Sequence, residues 1–321
     1  MMKEADSMKW NMAKRLTAAG AVALSLTIGG VHAKDTVKIG FIGPLTGGTS
    51  SVGLGGRNSA ELAVQLRNKD PDTEYDYELV ALDSACKPNA GVQVATKLAA
   101  DRQVIGAITH YCSSVAMATV GVYNRFQLPV IVWGAVLPDI TYGNDYAEVH
   151  RVNGTMINQN ETAAQFMTKQ GYEKWVIIHD TTDYGKGHNE YFSKSLKENG
   201  GEILSTFGVS SDQQDFLAVL TEAESMDPDV VYFGGLTPAG VRIRRQMERV
   251  GIDAQFEGTS GIISDSYING LGDLAEGTVA FLEGAPLSKL PGGEYFKAQY
   301  EEAKFSESAE AYGPFAFAST N

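Results

Sequence analysis

Ser113 and Ser114 come shortly after the apolar run Val104–Thr109 and begin a segment with helical spacing. An apolar run that leads directly into a helix is typical of a strand in a parallel sheet. Such sheets bind ligands at the carboxyl ends of their strands, where the N–H groups and the dipole of the next helix favour an anion. We therefore predict a carboxylate site at these serines. Serine is also a common helix N-cap, so a purely structural role is the alternative.

Sequence motifs of enzymes are incomplete in this chain. Residues 53–58 (GLGGRN) begin like a dinucleotide-binding fingerprint, but Asn58 replaces the third glycine. Residues 258–262 (GTSGI) lack the last glycine of a nucleophile elbow. A zinc site would rest on His110 and Cys112 alone, because the other histidines have no spacing typical of metal ligands. The sequence therefore predicts a binding protein without a metal or cofactor, not an enzyme.

The N-terminal segment has the order of a secretory signal peptide. Basic residues precede an apolar stretch over residues 16–28, and small residues follow as far as Ala33. That stretch is too short to cross a bilayer comfortably. We predict that residues 1–33 are a signal peptide, that cleavage follows Ala33, and that the protein is exported.

The chain is acidic, with 39 Asp and Glu against 26 Lys and Arg and a formal net charge of −13. Such a charge favours solubility and argues against nucleic acids and anionic membrane surfaces as partners. A small anionic ligand remains compatible with it, because local helix dipoles decide how well such a ligand is held.

The only two cysteines are Cys86 and Cys112, and both follow the predicted signal peptide. An exported chain with two cysteines usually pairs them, so we predict a disulfide. A reactive thiol at Cys112, close in sequence to His110, is the alternative.

The elements that position these residues alternate between strand and helix, which predicts two doubly wound parallel sheets in an α/β fold. The glycine-rich residues 45–56 are interpreted as a surface loop. The predicted strands of the first half are 37–42, 77–82, 104–109 and 128–133, and those of the second half are 175–179, 203–208, 230–233, 255–257 and 277–282.

With its signal peptide, two halves and cysteine pair, the sequence resembles the periplasmic substrate-binding proteins of ABC importers, and more specifically the leucine/isoleucine/valine-binding family. The resemblance extends from about residue 36 to residue 321. The motifs that carry it are residues 39–47 (IGFIGPLTG), 83–88 (DSACKP), 110–114 (HYCSS), 138–141 (PDIT), 178–180 (IHD), 184–187 (YGKG) and 232–235 (YFGG).

This resemblance implies a type I fold in which two lobes close on a ligand about a hinge. The first lobe is expected to comprise residues 34–151 and 283–321, and the second lobe residues 152–282, with the family fold continuing past residue 321. The resemblance also implies the Cys86–Cys112 disulfide, an ABC permease in the inner membrane as partner, and a monomer.

Carried over residue by residue, the family's carboxylate site corresponds to Ser113 with Ser114 and to the backbone of Gly134, Ala135 and Val136. Tyr184 of the second lobe corresponds to a tyrosine that closes over the ligand. Trp133 could form an aromatic wall of the pocket or belong to the core of its strand.

Departures from the family pattern concern the ligand's ammonium group. Ser260 stands at the principal acidic position, Leu236 replaces a tyrosine, and Val136 replaces a threonine. The resemblance therefore implies a small organic acid or amide with an apolar body and no obligatory ammonium. The alternatives are a branched-chain amino acid, with Asp180 or Asp183 pairing its ammonium, and a sensor that presents its ligand to a membrane receptor.

Overall fold

A computed structural model describes residues 34–321. The predicted signal peptide, residues 1–33, lies outside this range, so its prediction stands on the sequence alone. Among residues 34–321, no helix has the length and apolar character needed to cross a membrane.

The first sheet has five parallel strands in the order β2-β1-β3-β4-β5. Continuous apolar character buries its central strands on both faces. Its strands are β1 (Thr36–Gly43), β2 (Asp76–Asp83), β3 (Val104–Thr109), β4 (Val130–Val132) and β5 (Val149–Arg151), and its helices are α1 (Ser50–Lys69), α2 (Pro88–Ala100), α3 (Ser113–Phe126) and α4 (Asp139–Tyr142).

The second sheet also has five parallel strands, in the order β10-β9-β8-β6-β7. Two doubly wound sheets confirm the predicted fold class. The elements are α5 (Met156–Lys169), β6 (Lys174–Asp180), α6 (Asp183–Glu198), β7 (Glu202–Val209), α7 (Leu217–Glu224), β8 (Val230–Gly234), α8 (Thr237–Val250), β9 (Gln255–Gly258), α9 (Asp265–Leu271) and β10 (Val279–Ala280).

Two further helices, α10 (Gly293–Ala303) and α11 (Gly313–Thr320), follow the second sheet in sequence but pack on the first. Phe296 and Phe317 form a hydrophobic cluster with Leu62 and Ala63 of α1. This packing is compatible with the proposed first lobe, residues 34–151 with 283–321, and the proposed second lobe, residues 152–282.

The glycine-rich stretch predicted as a loop is largely helical, because α1 begins at Ser50. Its glycines allow close approach of neighbouring chain. A Cβ atom at Gly53 would lie 1.9 Å from the carbonyl oxygen of Pro44, and one at Gly56 would lie 2.7 Å from the Trp133 ring. Glycine was therefore misread as a loop signal where it serves packing.

We expect Gly53→Ala to lower the free energy of unfolding by about 2–3 kcal/mol, because the added methyl group must displace backbone. Gly121→Ala is the matched control. It lies within α3, where an added Cβ would meet only the Tyr146 hydroxyl, at 4.0 Å. It should stabilise the protein by about 0.5–1 kcal/mol, since alanine favours a helix over glycine. Urea unfolding of both variants measures the contrast, and equal effects would contradict the packing argument.

Candidate ligand-binding site

A cavity of about 740 Å³ is lined by residues from the carboxyl ends of strands in both sheets. On one side these residues follow β1, β2, β3 and β4, and on the other they end or follow β6, β7 and β8. This is where parallel α/β sheets bind ligands, and the volume suits a small molecule.

Five of the predicted site residues line this cavity, namely Ser113, Ser114, Gly134, Tyr184 and Leu236, as do both cysteines. The other three, Ala135, Val136 and Ser260, are fully buried and lie outside the lining. The Ala135 N–H donates to the His110 carbonyl oxygen and the Val136 N–H donates to Ser113 Oγ. Both amides thus have partners within the chain, and the predicted contact of these residues with the ligand stays a prediction.

The Ser113 hydroxyl is oriented by the chain that follows β4. Its Oγ accepts hydrogen bonds from the N–H groups of Val136 at 3.3 Å and Leu137 at 3.4 Å. A serine hydroxyl accepts two hydrogen bonds and donates one. Both acceptor positions are thus filled, and the proton remains for another acceptor. Ser113 is only 1% exposed, so this donor acts in a largely water-free environment.

The amino end of α3 is suited to an anion for a second reason. Its N-cap residue is Cys112, whose side chain is in a disulfide, and no side chain of residues 34–321 caps the helix. Ser113 is the first helical residue, so the alternative that it is an N-cap is wrong. The first N–H groups of a helix have no intrahelical partner and attract negative charge.

Aromatic rings form part of the cavity wall. Tyr111 and Tyr312 both line it, with their ring centroids 5.2 Å apart in an edge-on arrangement. Trp133 is fully buried behind Tyr111, with centroids 5.8 Å apart, and its indole N–H donates to the Ile42 carbonyl oxygen at 3.3 Å. Of the two roles considered for Trp133, the structure supports the core role.

Sequence reasoning missed both tyrosines. Tyr111 follows the end of β3 directly before the disulfide, a position that could have indicated it. Tyr312 lies far along the chain, and although the family resemblance assigns residues 283–321 to the first lobe, no local pattern indicates that its side chain lines the cavity.

Tyr184 contributes its ring from the start of α6. Its hydroxyl lies 2.9 Å from Thr259 Oγ1 and accepts the Gly261 N–H at 3.0 Å. These bonds hold the hydroxyl within the second sheet's own loops, and the side chain is only 7% exposed.

Acidic groups also line the cavity, but Asp180 is committed to its own turn. Its Oδ1 accepts the Thr182 N–H at 3.0 Å and the Thr182 hydroxyl, and burial raises its pKa. Asp183 and Asp212 are exposed at the rim. Arg242 lies nearby, where its Nε donates to the Gln213 carbonyl oxygen at 3.1 Å.

The structure contradicts both alternatives for Cys112, a reactive thiol and a zinc ligand beside His110. Cys86 and Cys112 form a disulfide, with Cα atoms 5.6 Å apart. His110 is buried with its Nε2 2.7 Å from the Tyr123 hydroxyl, and burial lowers its pKa to about 3. In the part of the chain that the structure describes, no group of His, Cys, Asp or Glu side chains could hold a metal ion.

Comparison with known proteins agrees with this geometry. The profile of a family described as periplasmic binding protein matches residues 36–320. A Leu/Ile/Val-binding protein of Citrobacter freundii is 30% identical over 271 residues, covering 83% of this chain and 72% of the relative.

Two solved structures share the fold. A leucine-binding protein from Thermotoga maritima superposes with a TM-score of 0.79 at 25% identity, over 88% of this chain and 80% of the other. A solute-binding protein of an ABC transporter from R. palustris, in complex with benzoate, has a TM-score of 0.80 at 20% identity, over 89% of this chain and 78% of the other.

These relatives are binding proteins, which confirms the prediction that the chain is not an enzyme. The two solved structures also share its fold. The chain therefore belongs to the periplasmic binding protein family, within the type I, two-lobed group of leucine/isoleucine/valine-binding proteins.

Proposed function

We propose that this protein captures a small carboxylate-bearing solute between its lobes and delivers it to an ABC permease of the branched-chain amino acid type. The observation that carries the proposal is the Ser113 hydroxyl, whose acceptor positions are filled by Val136 and Leu137. A buried hydroxyl left with only its proton to offer, beside the amino end of a helix, is suited to a carboxylate.

The rest of the ligand is expected to be apolar or aromatic. The rings of Tyr111, Tyr184 and Tyr312 line the cavity, together with Leu236. Burial of an apolar ligand surface against such rings supplies binding free energy, while the carboxylate sets the orientation.

An obligatory ammonium group is not part of this proposal. Ser260, at the family's acidic position, is fully buried, and its hydroxyl donates to Gln159 Oε1 at 3.4 Å. Asp180 Oδ1 already accepts two hydrogen bonds from Thr182, and burial raises the pKa of this carboxyl, which disfavours the charge needed to pair an ammonium group. The preferred ligand is therefore an organic acid or amide, a class that includes the benzoate bound by the R. palustris protein.

A branched-chain amino acid is the second candidate. It is favoured by the Leu/Ile/Val-binding relative and by the exposed carboxylates of Asp183 and Asp212 at the cavity rim.

A sensor that presents ligand to a membrane receptor would use the same cavity. Deletion of the cognate permease genes distinguishes this role from transport, because the deletion would stop transport and leave sensing intact.

Closure of the two lobes on the ligand is the proposed mechanism. Ligand that contacts both lobes stabilises the closed state by its higher affinity for that state.

We further propose export through the signal peptide with cleavage after Ala33, and action as a periplasmic monomer without a cofactor. Mass spectrometry of the exported protein tests the cleavage site, and sedimentation tests the monomeric state.

We expect Ser113→Ala to weaken carboxylate binding by about 10–100-fold, because a buried hydrogen bond to a charged group is lost. The assay is a thermal-shift screen of amino acids, aromatic and aliphatic acids and their amides, followed by calorimetry. Ser225→Ala is the matched control, since Ser225 lies at the end of α7 and bonds only to the Glu222 carbonyl oxygen. An unchanged affinity in Ser113→Ala would contradict the proposed site.

A further inference from the structure

Two cationic side chains line the cavity at the end away from the connections between the sheets. The chain passes between the sheets after β5 and after β10, and each of these is an edge strand. Tyr312 lies at this inner end, because its hydroxyl donates to Glu283, shortly after β10, at 3.1 Å. Lys87 follows β2 and Arg242 contacts the loop after β7, and β2 and β7 are the opposite edge strands. We call the part of the cavity lined by Lys87 and Arg242 its outer end.

The Arg242 guanidinium is held in place without being neutralised. Its Nε donates to the Gln213 carbonyl oxygen at 3.1 Å. One turn further along α8, Gln246 Nε2 donates to the Gln214 carbonyl oxygen at 2.8 Å, so that two side chains join the helix to the loop after β7. Within residues 34–321, no carboxylate forms an ion pair with Arg242. The cation is therefore positioned but unpaired.

Most of the hydrogen-bonding capacity of Arg242 is unused. A guanidinium carries five N–H donors in one plane, and the bond to Gln213 uses one of them. The two terminal nitrogens have no hydrogen-bond partner among the described residues, and they are not buried, so a ligand can reach them. Their N–H groups match the geometry of a carboxylate, which a guanidinium binds through two parallel hydrogen bonds.

We infer that the ligand carries a second carboxylate, and that Arg242 binds it at the outer end of the cavity with Lys87 opposite. The first carboxylate binds at Ser113, as in the proposed function on which this inference rests. The apolar body of the ligand lies between the two sites, against Tyr184 and Leu236, which follow the strands β6 and β8. The ligand class is thus a dicarboxylate with an apolar spacer. Because Ser113 follows a strand of the first sheet and Arg242 belongs to the second lobe, such a ligand bridges both lobes and favours closure.

Two acidic side chains at the rim oppose a second anion only weakly. Asp183 and Asp212 line the cavity but are exposed, so solvent and salt screen their repulsion. Arg242 is only partly exposed and contacts the second carboxylate directly. A charge-assisted pair of hydrogen bonds at such a site outweighs the repulsion of screened charges at the rim.

The test uses two pairs of acids in which a carboxylate replaces a terminal methyl group, namely terephthalate with 4-methylbenzoate and heptanedioate with heptanoate. Calorimetry at pH 8, where every carboxylate of these acids is ionised, compares the full mature chain with Arg242→Gln. In at least one pair, the diacid should bind the wild type about 10–100-fold more tightly than the monoacid. Arg242→Gln should remove most of that preference and change the affinity for the monoacid by less than about threefold.

Arg249→Gln is the matched control, since it removes the same charge from α8 at an exposed position outside the cavity lining. It should keep the preference of the wild type. Monoacids that bind the wild type as tightly as the diacids in both pairs would overturn the inference and leave the proposed function standing, and this measurement does not depend on the folding of any variant. A preference that survives in Arg242→Gln would also overturn the inference. Failure of all four acids to bind would instead overturn the proposed function, and the inference with it.

Discussion

Replacement of both cysteines by serine, Cys86→Ser with Cys112→Ser, is expected to lower the free energy of unfolding by about 3.5 kcal/mol. The disulfide joins residues 26 positions apart and so restricts a long loop of the unfolded chain. It also holds the loop after β2 against the start of α3, and both cysteines line the cavity. The variant should therefore bind carboxylates more weakly as well, because Ser113 follows Cys112 directly.

Urea unfolding of the wild type under oxidising and reducing conditions, beside the double serine variant, measures this effect. The reduced wild type should match the variant, which separates the loss of the crosslink from the change of side chain. A disulfide that contributes less than about 1 kcal/mol would show that the unfolded chain gains little freedom when it is cut.

The second large effect is expected at Glu257, a fully buried residue of β9. Its Oε2 accepts the Trp175 indole N–H at 3.3 Å, and burial raises its pKa to about 8. Below pH of about 4.5 this carboxyl is neutral in both the folded and the unfolded chain. Between that pH and about 8 only the unfolded chain releases its proton, so the stability of the wild type should fall as the pH rises.

Glu257→Gln keeps an acceptor for Trp175 but cannot ionise. At each pH, the free energy of unfolding of the variant is compared with that of the wild type. Between pH 5 and pH 9 this difference should change by about 4 kcal/mol in favour of the variant. Urea unfolding between pH 5 and pH 9 measures the shift. Glu222→Gln, on the exposed face of α7, is the control and should show no such trend. A difference for Glu257→Gln that does not vary with pH would mean that this carboxyl is ionised in the folded protein.

The sequence predicted the architecture well because parallel sheets leave a strong pattern. Strands buried on both faces are continuous apolar runs, and β3 was predicted residue for residue. The strand β5 was missed because it has three residues, only one of them buried. Glycine was ambiguous, since it marks a turn where it frees the backbone but allows close packing where neighbouring chain touches a helix, as at Gly53.

The residues of the candidate site likewise include some that could be predicted from the sequence and some that could not. Ser113 and Ser114 could be predicted from the residues themselves, because they follow a strand and strand ends of parallel sheets meet at one edge. Gly134, Tyr184 and Leu236 could be predicted from the family resemblance, and all five residues line the cavity. The sequence alone also determined the family, the disulfide and the suitability of α3 for an anion. All of these depend on local order along the chain.

Only the tertiary structure decided which groups remain free to bind. Whether the amides of Ala135 and Val136 are available depends on partners more than twenty residues away. The burial of Trp133 depends on Phe41 and Tyr111, and the pairing of Glu283 with Tyr312 joins residues 29 positions apart. Hydrogen-bond satisfaction and burial are properties of the packed chain, so no local pattern of residues reports them.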